Sequence, residues 1–130
     1  MKKRKTEFMT EVELELMTEL WALGEGTVRD VLARLPEDRQ MAYTSAATIL
    51  RILEQKEFAT SRKSGKSHIY TPTLSKDTYQ SRSLRQLSKK LFDDIPASLV
   101  ARLVNDDELT EEALGQIRAL VDRRLKDGDG

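Results

Sequence analysis

Apolar positions recur at helical spacing in three short runs before the period changes. Thr10 with Glu13 three residues later forms a capping-box pattern, in which each side chain satisfies the other's free backbone N–H. Val12, Leu16, Met17, Leu20, Trp21 and Leu23 follow on one helical face, and Gly24 and Gly26 end the element. Thr27 caps a second helix with the stripe Val28, Val31, Leu32 and Leu35, stopped by Pro36. Residues Glu37 to Gln40 are polar and read as a loop. A third helix begins near Tyr43 and runs to about Lys56, with Ala46, Ile49, Leu50 and Leu53 at i, i+3, i+4 and i+7. Two strand-like segments, from Phe58 to Lys63 and from Ser67 to Thr71, then flank Ser64-Gly65-Lys66 and predict a β-hairpin ending at Pro72. Helical spacing resumes at Ser75 and carries Leu84, Leu87, Leu91 and Phe92. A short helix with Leu99, Leu103 and Val104 follows. The last helix, capped by Thr110, carries Leu114, Ile117, Leu120, Val121 and Leu125, with a frayed end expected from Asp127 to Gly130.

The predicted fold is mainly α with one small β-hairpin. Three short helices and a hairpin make the winged helix-turn-helix plan, in which the third helix can enter a DNA major groove and the hairpin lies along the backbone. The boundary falls at the hairpin-to-helix junction: residues 1–74 are the winged helix with a loose N-terminal arm, and residues 75–130 a helical dimerisation region.

If the apolar stripe of the third helix faces the core, its opposite side carries Thr44, Thr48, Arg51 and Gln55, with Ser45 beside them. That face has no acid, and Glu54 lies off its axis. Thr and Gln can bond base edges or phosphates, and Arg can grip guanine through two bonds. Tyr43, at the helix start, can offer a hydroxyl to a phosphate. Arg62, Lys63 and Lys66 on the wing can reach flanking phosphates. The plainer readings are solvated polar residues, and wing cations that keep an exposed hairpin soluble. Trp21 and Tyr70 read as core, not as platforms for a ligand.

Charge qualifies this picture. There are 22 basic and 22 acidic residues, a zero balance that is unusual for a DNA binder. The distribution matters more. Bases cluster at Lys2 to Lys5 and across Arg62, Lys63, Lys66 and Lys76; acids cluster from Glu11 to Glu19 and from Asp106 to Glu112. A neutral protein with a basic face can bind a polyanion, although charge alone favours ordinary solvated faces. No cysteine is present, which excludes disulfides and thiolate metal sites and fits a reducing cytoplasm. His68 is the only histidine and has no partnered ligand nearby in sequence, so no metal or other cofactor is expected. No glycine-rich phosphate loop, Cys-His pair or metal cluster is present, and the acidic runs at Asp93-Asp94 and Asp106-Asp107-Glu108 suit helix starts, so an enzyme is not expected. The basic N-terminus lacks the apolar stretch of a secretory signal.

The C-terminal helices carry apolar stripes but too few residues to close a large core. Packing Leu84, Leu87, Leu91, Leu99, Leu103, Leu114, Ile117, Leu120 and Val121 against a second copy solves this, and a two-fold dimer spaces two recognition helices by roughly one DNA turn. The alternative is that these helices fold back on their own winged helix.

The chain resembles the penicillinase and methicillin-resistance repressor family of bacteria, which also includes copper-responsive repressors. The resemblance rests on Thr10 to Met17 with Leu20-Trp21, Thr27 to Val31, Ala42-Tyr43-Thr44-Ser45 with Thr48 and Leu50 to Leu53, the wing Gly65 to Pro72, and Ser98-Leu99-Val100. It implies a homodimeric repressor of a nearby operon. In the antibiotic-responsive branch a membrane sensor protease triggers cleavage in the C-terminal region; in the copper branch C-terminal cysteines bind metal. This chain has no cysteine for the copper route. Arg102-Leu103 stands where the antibiotic-responsive members carry an Asn-Phe scissile pair, which argues against the protease as partner and against a β-lactam response. Ile52 stands where an arginine is common, which bears on operator preference. Glu57 replaces a usual helix-ending glycine, so a looser or differently built corner is expected there. The function expected is a DNA-binding transcriptional repressor acting as a homodimer on a palindromic operator. The alternative is a winged-helix protein-interaction module without sequence-specific DNA binding.

Overall fold

The computed structural model describes residues 8–129, so the basic arm expected at Lys2 to Lys5 lies outside the described residues. In chain order the elements are α1 (Glu11–Leu23), α2 (Val28–Arg34), α3 (Tyr43–Gln55), β1 (Ala59–Ser64), β2 (Ser67–Pro72), α4 (Lys76–Leu91), α5 (Pro96–Val104) and α6 (Glu111–Asp129). The chain forms two compact units that divide between Gln86 and Leu87, inside α4.

Local chemistry sets the first unit's boundaries. Thr10 Oγ1 accepts from Glu13 N at 3.2 Å while Glu13 Oε1 accepts from Thr10 N at 3.0 Å, completing the capping box. Thr27 and Asp30 repeat the device at the start of α2. Leu35 is extended ahead of Pro36, as the ring's clash with a preceding helical residue requires. Ser64 pairs with Ser67, so Ser64 belongs to the strand and the hairpin turn is only Gly65-Lys66, shorter than the three-residue turn expected. Gly65 has φ +61°, which glycine adopts without the Cβ clash that penalises other residues. Gly26 forms an isolated antiparallel bridge on the other edge of β2: its N–H donates to Tyr70 O at 3.0 Å and its carbonyl accepts from Tyr70 N at 2.8 Å.

The core of this unit lies between α1, α2, α3 and the hairpin. Leu16, Met17, Leu20, Val31, Leu50, Leu53 and Phe58 are fully buried. Each contributes roughly 1.5–3 kcal/mol by leaving water. Val12, expected on this face, is exposed; the buried stripe of α1 instead begins one residue later at Glu13, followed by Leu16, Met17 and Leu20. Glu13 tolerates burial because its carboxylate meets the Lys56 ammonium at 2.9 and 3.1 Å. Tyr70 is buried as core, and Trp21 packs against the core while its Nε1 donates to Leu74 O. Tyr79 of α4 is buried too: it stacks near Trp21 and Phe58, and its hydroxyl accepts from the backbone N–H of Met9 at 2.7 Å.

The corner after α3 is neither loose nor differently built. Glu57 itself takes the left-handed conformation, φ +68°, with its side chain exposed. Phe58 N donates to Leu53 O at 2.9 Å and Glu57 N to Glu54 O at 3.0 Å, which is the Schellman motif, and Phe58 packs on Leu53 as that motif favours. Two hydrogen bonds and a buried aromatic outweigh the strain of a Cβ in that region.

In the second unit Thr110 Oγ1 caps α6 by accepting from Ala113 N, and α6 continues through Gly128 to Asp129 instead of fraying at Asp127. No left-handed residue interrupts it there. Asp93 and Asp94 carry φ +54° and +61° and turn the chain into α5, so their role is conformational as much as electrostatic. Among the described residues after Gln86, no apolar side chain is buried. Leu91, Leu103, Leu120 and Val121 are exposed, as is Leu84 in α4, while Leu87, Leu99, Leu114 and Ile117 are half-buried.

Candidate nucleic-acid interface

Burial of Ala46, Leu50 and Leu53 turns the opposite side of α3 to solvent. Thr44, Ser45, Thr48, Arg51 and Gln55 are all exposed there, and Tyr43 is 47% exposed at the helix start. No carboxylate stands among them. The structure therefore brings together on one surface the six α3 residues expected from the sequence.

The wing flanks this helix across a cleft of about 520 Å³, lined by Tyr43, Ala47, Arg51 and Glu54 of α3, Arg29 of α2, and Lys66, His68 and Tyr70 of the hairpin. Glu54 lies off the exposed axis, yet it does line the cleft: its carboxylate accepts from the Ser61 hydroxyl at 2.9 and 3.0 Å. Burial pushes the Tyr70 hydroxyl above its usual range, and the Glu54 charge adds to that. Arg29 was not among the residues singled out from sequence. Its guanidinium sits 5.1 Å from the Tyr43 ring centre, so α2 adds a cation to the rim of the cleft. No spacing in the sequence announces that contact, because it joins two helices through the fold.

Strand alternation divides the wing cations. Ser61 faces α3 through Glu54, and Lys63, two residues on, shares that side with its cross-strand partner His68. Arg62 faces the other way, paired in register with Ile69. Its guanidinium makes a two-pronged pair with Glu25, Nη1–Oε1 3.0 Å and Nη2–Oε2 3.2 Å. Hydrogen bonding from Arg62, reinforced by its charge, holds the Glu25 carboxyl below the usual carboxylate range. Lys66 stands in the turn.

Three acids of α1 are paired with cations from elsewhere in the unit. Glu15 accepts from Arg39 Nε at 2.6 Å, Glu19 from Arg34 Nε at 3.0 Å, and Glu13 from Lys56. Within the first unit, paired acids on α1 thus stand apart from an exposed side bearing Arg29, Arg51, Lys63 and Lys66.

Comparison with known proteins accords with this geometry. The model of the penicillinase repressor family matches residues 9–123. A penicillinase repressor of Bacillus licheniformis is 19% identical over 114 residues, covering 88% of this chain and 89% of that protein. An uncharacterized 16.5 kDa protein in the ptsI 3′ region of Latilactobacillus sakei is 24% identical over 116 residues, covering 89% of this chain and 80% of its own length. Among solved structures, the DNA-binding domain of the repressor BlaI aligns with a TM-score of 0.50 and 25% identity over 58% of this chain and 90% of that domain. The CopR repressor aligns with a TM-score of 0.45 and 28% identity over 53% of this chain and 100% of its own.

Proposed function

The chain belongs to the penicillinase repressor family, and from that premise we propose that it is a transcriptional repressor that binds a palindromic operator in the cytoplasm as a homodimer. Its work is binding, not catalysis. The observation that carries this reading is the exposed, acid-free face of α3, with cations on the α2 and wing sides of the cleft beside it. In this reading α3 enters the major groove. Thr44, Ser45, Thr48, Arg51 and Gln55 meet base edges and nearby phosphates, and Tyr43, Arg62, Lys63 and Lys66 meet the backbone. The solved DNA-binding domain of BlaI, alike in fold, supports the assignment.

The dimer is proposed from the second unit. Leu91, Leu103 and Leu120 are 69%, 51% and 56% exposed in a single chain, and α5 buries no residue at all. Helices this short gain most of their stability from packing an apolar face, and a second copy supplies the matching one. The region from residue 75 onward is the proposed dimerisation region. Arg102 and Leu103 lie within α5, which must unwind before a protease can take them as an extended strand. That geometry supports release from DNA by a route other than cleavage by a membrane sensor protease.

The test is a footprinting titration on the region upstream of the chain's own gene, at about 50 and 200 mM salt with excess random competitor DNA. Two protected half-sites that survive competitor and weaken steeply with salt are expected. Absence of binding at the lower salt overturns the proposal in favour of a protein-interaction module.

A further inference from the structure

Among the described residues, Arg62 is the one wing cation whose charge is engaged by a carboxylate, and that carboxylate is held on a constrained turn. Glu25 lies between Gly24, at φ +85°, and Gly26, whose backbone is locked to Tyr70 by two hydrogen bonds. A Cβ on Gly26 would come within 3.1 Å of both the Asp30 and Leu23 side chains, so the turn keeps close contact with the helices on either side. Glu25 is therefore carried on a fixed rung at the edge of the wing sheet. Its two oxygens meet the two Nη atoms of Arg62 in the fork geometry that a guanidinium also offers to phosphate. The side chains remain 57% (Arg62) and 51% (Glu25) exposed. An ion pair so open to water is worth little, so Arg62 can change partner at low cost.

Resting on the DNA-binding reading above, we propose that Glu25 sets the wing's affinity for DNA by competing with backbone phosphate for Arg62. In the free protein Glu25 holds the guanidinium. On DNA the guanidinium turns to a phosphate, and Glu25, fixed by its turn, is left as an unpaired negative charge beside the duplex. The carboxylate lowers affinity twice: it must first be displaced, and it then repels the polyanion. Because a phosphate contact carries no sequence information, Glu25 acts equally on operator and random DNA. It thus restrains general polyanion binding by a chain whose exposed interface is otherwise cationic.

The experiment compares wild type, Glu25→Gln, Arg62→Gln and the double variant on a labelled random-sequence duplex across about 50–200 mM salt. Glu25→Gln keeps the size of the side chain and removes its charge. It is expected to tighten binding by about two- to five-fold, the range that corresponds to an exposed ion pair. It should also steepen the salt slope, by at most about 0.9, because the carboxylate no longer offsets the charge that Arg62 brings to the duplex. In the Arg62→Gln background the same change should have a smaller effect, since only the carboxylate's repulsion is then left to remove. Unchanged affinity and slope in Glu25→Gln overturn the proposal, because Glu25 then neither competes for Arg62 nor repels the duplex. Weaker binding in Glu25→Gln overturns it as well, because the pair then positions the wing. A wild-type protein that binds no duplex at the lower salt refutes the DNA-binding reading itself, a result distinct from the other two.

Discussion

Replacing Glu57 by glycine should stabilise the protein. Glu57 sits at φ +68° at the end of α3. For a residue with a Cβ, the left-handed region costs about 1–2 kcal/mol. Glycine removes that strain but loses roughly 0.5–1 kcal/mol more conformational entropy on folding. The Glu57 side chain is exposed, and the hydrogen bonds of the corner use backbone atoms, including its carbonyl, which accepts from Thr73 Oγ1 at 2.6 Å. Truncation therefore leaves the Schellman bonds in place. The balance is a gain of about 0.5–1 kcal/mol, or a few degrees in melting temperature for a domain of this size. Thermal unfolding followed by circular dichroism, at one fixed protein concentration, reads the change. Glu57→Ala is the control: it removes the charge but keeps the Cβ in the left-handed region, and it should bring no comparable gain. If alanine stabilises as much as glycine, the effect is electrostatic and the strain argument is wrong. If glycine leaves the melting temperature unchanged or lowers it, Glu57 is not strained in the folded state.

Three further outcomes are expected. Arg51→Ala should cost roughly 1–3 kcal/mol in operator binding and relax discrimination at one base position, with little change on random DNA; equal losses on both duplexes would make Arg51 a phosphate contact. Lys63→Gln with Lys66→Gln should weaken binding to every sequence and flatten the salt slope by about 1.8, twice the contribution of one contact, and an unaltered slope would remove the wing from the backbone. Leu120→Asp places a charge on an exposed part of α6 without emptying any core, so it should leave the helical signal intact and shift sedimentation from dimer to monomer; a wild-type monomer would remove the dimer from the proposal.

Much of the fold was legible because short-range chemistry dictates it. Both capping boxes or caps at Thr10 and Thr27, the break at Pro36, and the glycine turn at Gly65 act over three or four residues, and the structure keeps each of them. The exposed residues of α3 were legible for a related reason: once Ala46, Leu50 and Leu53 go inward, helical geometry turns Thr44, Thr48 and Arg51 outward. What escaped were contacts between distant segments. Tyr79 reads as an isolated aromatic in a polar helix, yet it closes the core and receives the Met9 N–H across 70 positions. Arg29 reads as one more helix-surface arginine, yet it meets Tyr43. The apolar stripe of α1 is displaced at its first turn because a glutamate is a poor guess for a buried position, and the cation that neutralises it, Lys56, lies 43 residues away.

The wing shows where more could have been read. The sequence reading gives Arg62, Lys63 and Lys66 one role, reaching flanking phosphates from the hairpin. Adjacency in a strand is the strongest reason to separate Arg62 from Lys63, since consecutive side chains point to opposite faces. Period two alone puts Lys63 with Ser61 and Arg62 with the other side; only the identity of the partner on that side, Glu25, needs the structure. A basic cluster counted along a strand therefore overstates the charge that any one face presents. Here the two faces carry different chemistry: the side of Ser61 and His68 holds Lys63, while the other side holds a guanidinium already matched by a carboxylate. The two cations therefore meet a polyanion as separate groups: Arg62 comes with the Glu25 carboxylate and Lys63 does not.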